Sequence, residues 1–380
     1  MEIKLDELLE LRKTLHRNAE LSGREERTAS LVKDYLGKYL PDQIVDGIGG
    51  YGIGAVYQGK SEGPTVLIRC DLDALPIPES IELEYASETD GVSHKCGHDG
   101  HMTIVSGLAQ ILHNNRPDKG RVVLLYQPGE EVGKGAQWVL DDEKFSQIAP
   151  DYVFALHNLP GFPLGQVVYR EGVFASASKG LIVELLGETS HAAEPQKGKS
   201  PAMAVAQLIN GFSAITQFHS ALHEAAQVTV ISARVGERAF GTSPGFGTVM
   251  ATLRSHTDEV MDRISAKCED MVRGLCESWN LDTKISWDEI FPSTTNDSKM
   301  VRLIMNIADD LGLDKFEQPI PFPWSEDFGN FTDRYKGALF GLGAGESQPA
   351  LHHPTYDFPD DLIVTGVKIF EEIIKRLLMK

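Results

Sequence analysis

The sequence predicts an α/β fold: a mostly parallel-sheet domain into which a ferredoxin-like βαββαβ domain is inserted. Three observations predict it. Short apolar runs ending in polar clusters alternate with helical stripes in the first part of the chain, as in buried parallel strands joined by crossover helices. From about residue 177 the rhythm becomes strand, helix, two strands, helix, strand, which is the split βαβ order. At 380 residues the chain also exceeds what one core ordinarily accommodates. The expected division is 1–176 with 290–380 for the sheet domain and 177–289 for the insert.

The elements follow in order. Leu5, Leu8, Leu9, Arg12, Leu15 and His16 fall at helical spacing, as do Leu31, Val32, Tyr35, Leu36 and Tyr39, so two amphipathic helices open the chain. "TVLIRCDLDALP", "RVVLLYQPGEE" and "DYVFALHN" read as buried strands, with a helix through Ile104, Val105, Leu108, Ile111 and Leu112 between the first two. Ligands of such sheets sit at the carboxyl ends of the strands. In the insert, "GLIVELLG", "QVTVISARV", "GTVMATLRS" and "TKISWDEI" read as strands. One helix follows Ser200-Pro201, with proline in its first turn; a second carries Ile264, Cys268, Met271, Val272 and Leu275 on one stripe. After "FPSTTND" the α/β character returns and ends in the helix "VTGVKIFEEIIKRLLMK".

A net charge of −19 opposes binding to nucleic acid or to anionic membranes, and no Lys/Arg-rich run offsets it. No stretch approaches 18 uncharged apolar residues, the length of a membrane span, and the opening "MEIKLDELLELRKTLHR" lacks the apolar core of a secretory signal. The four cysteines, at 70, 96, 268 and 276, are therefore expected to be thiols, and the protein cytoplasmic.

The chemistry concentrates in "HKCGHDGH", residues 94–101. Cys96 and His98 precede a helix, Glu130 and Glu131 follow one strand, His157 follows another, and His352 and His353 lie near the C-terminus. Thiolate, imidazole and carboxylate together suit zinc, or else manganese, cobalt or nickel. Adjacent glutamates diverge on a loop, so one can bind metal while the other faces substrate. A metal lowers the pKa of bound water to about 7, and a free carboxylate can carry its proton to a leaving amine.

These residues sit in a longer series: "LRKTLHRNAELSGREERT", "RCDLDALPI", "HKCGHDGHM", "YQPGEEVGKGA", "LHNLPGFPLG", "SHAAEP", "ATLR", "WSEDFGNF", "GLGAG" and "LHHPTYDF". In that order and spacing the sequence resembles the amidohydrolase branch of the aminoacylase/carboxypeptidase-type metallopeptidases, which includes hippurate hydrolases, auxin-conjugate hydrolases and N-acetyldiaminopimelate deacetylases. The resemblance implies two divalent metal ions held by Cys96, His98, Glu131, His157 and His352, with Glu130 as general base. It implies that Asp71, Asp99 and Glu326 orient imidazoles from behind. It makes the insert a lid whose His191 donates to the oxyanion and whose Arg254 grips a substrate carboxylate. It also suggests a homodimer formed through the lid, and an N-acyl amino acid or dipeptide-like substrate.

The chain departs from that pattern at Gly241-Thr242-Ser243-Pro244, where relatives carry Asn-Val-Ile-Pro, and at Gly129, Thr189-Ser190 and Ala19. The metal and base positions are intact, so the departures bear on the substrate. The expected activity is metal-dependent cleavage of an N-acyl amino acid or a similar small amide. The alternatives are a dipeptidase or carboxypeptidase of the same clan, a thiol hydrolase using Cys96, and a metal-dependent binding protein without catalysis.

Overall fold

A computed structural model of the chain describes residues 3–379. It comprises two compact units. One combines the described residues up to Phe174 with Thr294–Ile320 and those from Asp327 on; the other is Ala175–Ser293 with Pro321–Glu326.

The first unit opens with helices α1 (Leu5–Arg17) and α2 (Glu26–Gly37). Acidic Asp6 and Glu7 in the first turn of α1, and His16 and Arg17 in its last, match the helix dipole. The chain then lays down β1 (Gln43–Ile48), β2 (Gly52–Gln58), β3 (Thr65–Asp71), α3 (His98–Asn114), β4 (Arg121–Gln127), α4 (Gly135–Asp141), β5 (Tyr152–Pro160), β6 (Val167–Tyr169) and β7 (Gly172–Ala175). Every residue of β3 is buried. Such a strand is covered on both faces, which is why it reads as an unbroken apolar run.

The second unit contains β8 (Ala177–Leu186), β9 (Ser190–His191), α5 (Ala202–His219), β10 (Ala226–Val235), β11 (Thr242–Ser243), β12 (Phe246–Ser255), α6 (Asp258–Trp279) and β13 (Asp282–Phe291). Its four-stranded sheet runs β10-β12-β8-β13, antiparallel throughout. This is the ferredoxin-like arrangement with a two-residue ribbon, β9 with β11, added. Burial alternates along β12, as a sheet with one covered face requires. Leu181, Val183, Val249 and Leu253 pack with Leu208 and Phe212 of α5 and Ile264 and Cys268 of α6. The Thr257 hydroxyl caps α6 by accepting from the Val260 N–H, and Asn280 ends it at φ 52°, as a left-handed helix stop does.

The chain re-enters the first unit with β14 (Thr294–Asn296), α7 (Ser298–Asp310), β15 (Lys315–Glu317), α8 (Gly329–Arg334), β16 (Lys336–Gly345) and α9 (Leu362–Leu378). The central sheet runs β1-β2-β4-β3-β5-β16-β6-β15. Strands β4, β3, β5 and β16 are mutually parallel, whereas β1, β2 and the β16–β6 pair are antiparallel. The parallel centre matches the expectation, with antiparallel pairs added on both flanks. The core joins Ile68 and Leu124 of the sheet to Leu8, Leu108 and Ile373 of the helices. Register sets Asp71 beside Gln127 and His157 beside Gly341, so β3, β4 and β5 deliver their polar ends to one edge.

Candidate metal centre

The candidate ligands stand at or beyond the ends of their elements, except His157, which lies within a strand. Cys96 precedes α3 and His98 is its first residue, joined through Gly97 at φ 90°. A Cβ on Gly97 would lie 2.8 Å from the Asn158 side chain, so this left-handed joint has room only for glycine. Glu130 and Glu131 leave β4 through Gly129 at φ 64°, where a Cβ would come within 2.5 Å of the Trp138 ring. That explains glycine at this departure from the family pattern. His157 lies in β5, and His352 follows β16 at φ 65°.

These four segments converge. The Cys96 sulfur is 3.5 Å from His157 Nε2, and His98 Nε2 is 3.8 Å from Glu131 Oε1 and 3.9 Å from Glu130 Oε2. His352 Nε2 is 3.8 Å from the other Glu131 oxygen. Cys96, His98 and His157 form one trio with donor atoms within 4.8 Å of one another; Cys96, Glu131 and His352 form a second. The thiol belongs to both, so one sulfur stands where two cations could share it. His353 instead bonds the Thr355 hydroxyl.

The donors are aimed inward. His98 Nδ1 bonds the Asp73 carbonyl at 2.8 Å and His157 Nδ1 bonds the Asn158 carbonyl at 2.9 Å. Each leaves Nε2 facing the centre, as oriented ligand imidazoles do. His98 Nε2 and Glu131 Oε1 are buried without a hydrogen-bond partner. Buried polar atoms ordinarily find one, so this pair fits a cation. Charge tells the same story. Burial and then Glu131 push the Cys96 thiol well up. Burial, with Asp73 and Asp71 adding to it and His98 opposing, raises Glu131 to about 8. Burial and His101 hold His157 well below the ordinary imidazole range. Without a cation the thiol and carboxyl retain protons; a cation reverses that preference.

Behind the donors lies a network. Asp71 accepts from Arg69 at 2.7 Å and bonds His101 Nδ1 at 2.8 Å, while His101 Nε2 meets Asn158. Both nitrogens of His101 are thereby occupied, so it buttresses the site. Asp99 bonds His16 Nδ1 at 2.8 Å and accepts from Arg12 at 3.1 Å; the imidazole it orients is that of His16, outside the ligand set. Glu326 is buried and belongs to the second unit. Its neighbour Asp327 bonds Arg69, Gln127 and the Ala136 N–H, and its own N–H points to Glu130 Oε1 at 3.5 Å.

Three residues here escape the sequence reading. Asp73 accepts from the Glu131 N–H at 2.9 Å; it is the second aspartate of "RCDLD". Asp327 is the acid next to the one singled out. Glu25 accepts from the Gly129 N–H at 2.9 Å and lies in "LSGREERT".

In the second unit, His191 is exposed and its Nδ1 accepts from the Ala193 N–H at 3.1 Å. The neutral ring therefore carries its proton on Nε2. The Ala192 N–H bonds the Gly241 carbonyl, so the departing Gly-Thr-Ser-Pro segment pairs with the strand of His191. Arg254 donates to the Pro323 carbonyl at 2.8 Å and the Ser325 hydroxyl at 3.3 Å, on a cavity of about 510 Å³ shared with Ser176, Glu224 and His256.

Soft and hard donors gathered at the carboxyl edge of a parallel sheet, with a second glutamate beside them, define a metal-dependent hydrolase. The chain belongs to peptidase family M20/M25/M40, which matches residues 67–376, and it is accordingly a hydrolase of amide bonds. It is 31% identical over 373 residues to N-acetyl-L-cysteine deacetylase of Bacillus subtilis (98% of this chain, 88% of the relative). It is 28% identical to hippurate hydrolase of Campylobacter jejuni over 375 residues (98% and 97%). Among solved structures, a dinuclear metal binding peptidase of the M20 family from Bacillus subtilis superposes with a TM-score of 0.82 at 25% identity, covering 97% of both chains. Among the described residues no helix is long and apolar enough to cross a membrane.

Proposed function

We propose that the chain removes the acyl group from N-acyl amino acids or similar small amides, with two divalent ions held by Cys96, His98, Glu131, His157 and His352. The observation that carries this reading is the pair of buried atoms without partners, His98 Nε2 and Glu131 Oε1, at the meeting point of four chain segments. Bound ions there would polarise the scissile carbonyl and acidify water. The mixed donor set favours zinc, with manganese, cobalt or nickel as substitutes.

Glu130 serves as general base. Its carboxylate takes a proton from the attacking water and returns it to the departing amine nitrogen, and the Asp327 N–H steadies one oxygen. Asp73 keeps Glu131 in register through the backbone bond at 2.9 Å. Residues 177–289 act as a lid. His191 donates from Nε2 to the oxyanion, and the fork of Arg254 takes the substrate carboxylate. Exposed Met203, Phe218, Leu222 and Ile231 suit pairing of that unit with a second copy. Four buried free cysteines suit a reducing cytoplasm.

The test is Glu130→Gln, assayed on a panel of N-acyl amino acids together with metal content. Turnover falls roughly 10²- to 10⁴-fold while two ions per chain remain. Unchanged turnover refutes the role of Glu130, and wild-type protein inactive on every N-acyl amino acid refutes the substrate class.

A further inference from the structure

We propose that Lys95 is a positioning residue that holds His352 in its metal-facing conformation by clamping both ends of the turn from His352 to Tyr356; the proposal rests on the metal-centre reading above. Among the described residues His352 is one of four other than glycine with positive φ, at 65°, a conformation that L side chains rarely adopt. Its side chain is 51% exposed, so packing around the ring does not hold it there, and the restraint comes through the backbone. The His352 N–H donates to the Lys95 carbonyl at 2.8 Å. At the far end of the turn the Tyr356 carbonyl accepts from the Lys95 ammonium at 2.8 Å.

One residue thus grips the turn twice, once with its backbone and once with its side chain. It also immediately precedes Cys96, so it joins two of the three donors of the Cys96–Glu131–His352 trio. The ammonium is fully buried and ion-paired with Glu79, which in turn bonds His16 Nε2 and the Ser87 N–H, each at 2.9 Å. The clamp is therefore anchored to two further segments. The Ser80 N–H adds a bond to the Pro354 carbonyl. The other trio, Cys96–His98–His157, has no member on this turn, so the effect of Lys95 falls on one half of the centre.

Zinc titrated calorimetrically into the metal-free full-length chain tests this. Three variants are compared with wild type: His352→Ala, Lys95→Met, and Lys95→Met with Glu79→Gln, the last leaving no unpaired buried carboxylate and guarding against misfolding. Wild type takes up two ions, and His352→Ala abolishes or weakens one step. Both Lys95 variants weaken that same step about 10- to 100-fold, the usual range for residues behind a ligand, and leave the other within about threefold. Equal weakening of both steps, or no change in either, overturns the clamp and makes Lys95 a structural ion only. If His352→Ala itself leaves both steps unchanged, the ligand assignment fails as well, which separates the two failures.

Discussion

His16 carries a prediction that can be worked through from the structure. Its ring is fully buried between two carboxylates, with Nδ1 2.8 Å from Asp99 and Nε2 2.9 Å from Glu79. Burial alone would lower its pKa, but the two acids outweigh it and raise the group from 6.5 to about 9. Because the folded value is the higher one, the protonated ring stabilises the fold fully below pH 6.5. That contribution is lost as pH rises towards 9. Each pH unit separating the two values is worth ~1.36 kcal/mol, so the ring contributes about 3 kcal/mol. The perturbation is His16→Gln, which retains hydrogen bonding but cannot titrate. Urea unfolding of both proteins at pH 6, 7.5 and 9.5 isolates the ring from every other titrating group. Wild type exceeds the variant most at pH 6, and the gap narrows by about 3 kcal/mol by pH 9.5. Parallel pH curves for the two proteins would refute the charged ring between two acids.

Three further outcomes follow from the same geometry. Dialysis against a strong chelator abolishes amide hydrolysis and divalent metal restores it; activity that survives chelation but is destroyed by iodoacetamide would instead make Cys96 a nucleophile. Gly97→Ala places a methyl 2.8 Å from Asn158 at φ 90°, costing about 1–3 kcal/mol of stability and weakening metal binding, because the Asn158 carbonyl orients His157; thermal melts and metal titration read both. Phe212→Ala, in the fully buried core of the second unit, costs about 3–5 kcal/mol in urea unfolding while leaving metal stoichiometry at the first unit unchanged.

Strands β3, β4 and β5 were legible because strands covered on both faces are nearly continuous apolar runs, and α1, α6 and α9 because their stripes keep the helical period. Strand β16 was not. Its "KGALFGLGAG" is rich in glycine, which weakens strand propensity. The structure shows why glycine is used: a Cβ at Gly337 or Gly343 would sit 2.0 Å from the carbonyl oxygen of Val153 or Pro163. The antiparallel flanks escaped for a different reason, since short strands such as β6 and β15 carry too few residues to display a period. At the site, the reactive residue types and their position after apolar runs were readable, whereas orientation was not. Neighbouring residues on a helix point to different sides. His98 therefore turns to the donors while Asp99, one position on, turns to His16 and Arg12. Choosing between His352 and His353 depended on resemblance alone, because nothing local announces a left-handed histidine.

The last strand of the sheet lies inside it. β16 fills the seam between β5 and β6, so a nascent chain has no closed sheet until residue 345 has left the ribosome. Until then β5 and β6 each present an unpaired edge, the kind of surface on which partly made proteins associate wrongly. His352 follows within a few residues. Closure of the sheet and completion of the donor set therefore fall at nearly the same moment of synthesis, and a cation arriving then would act as a latch on an architecture that, an instant earlier, was still open.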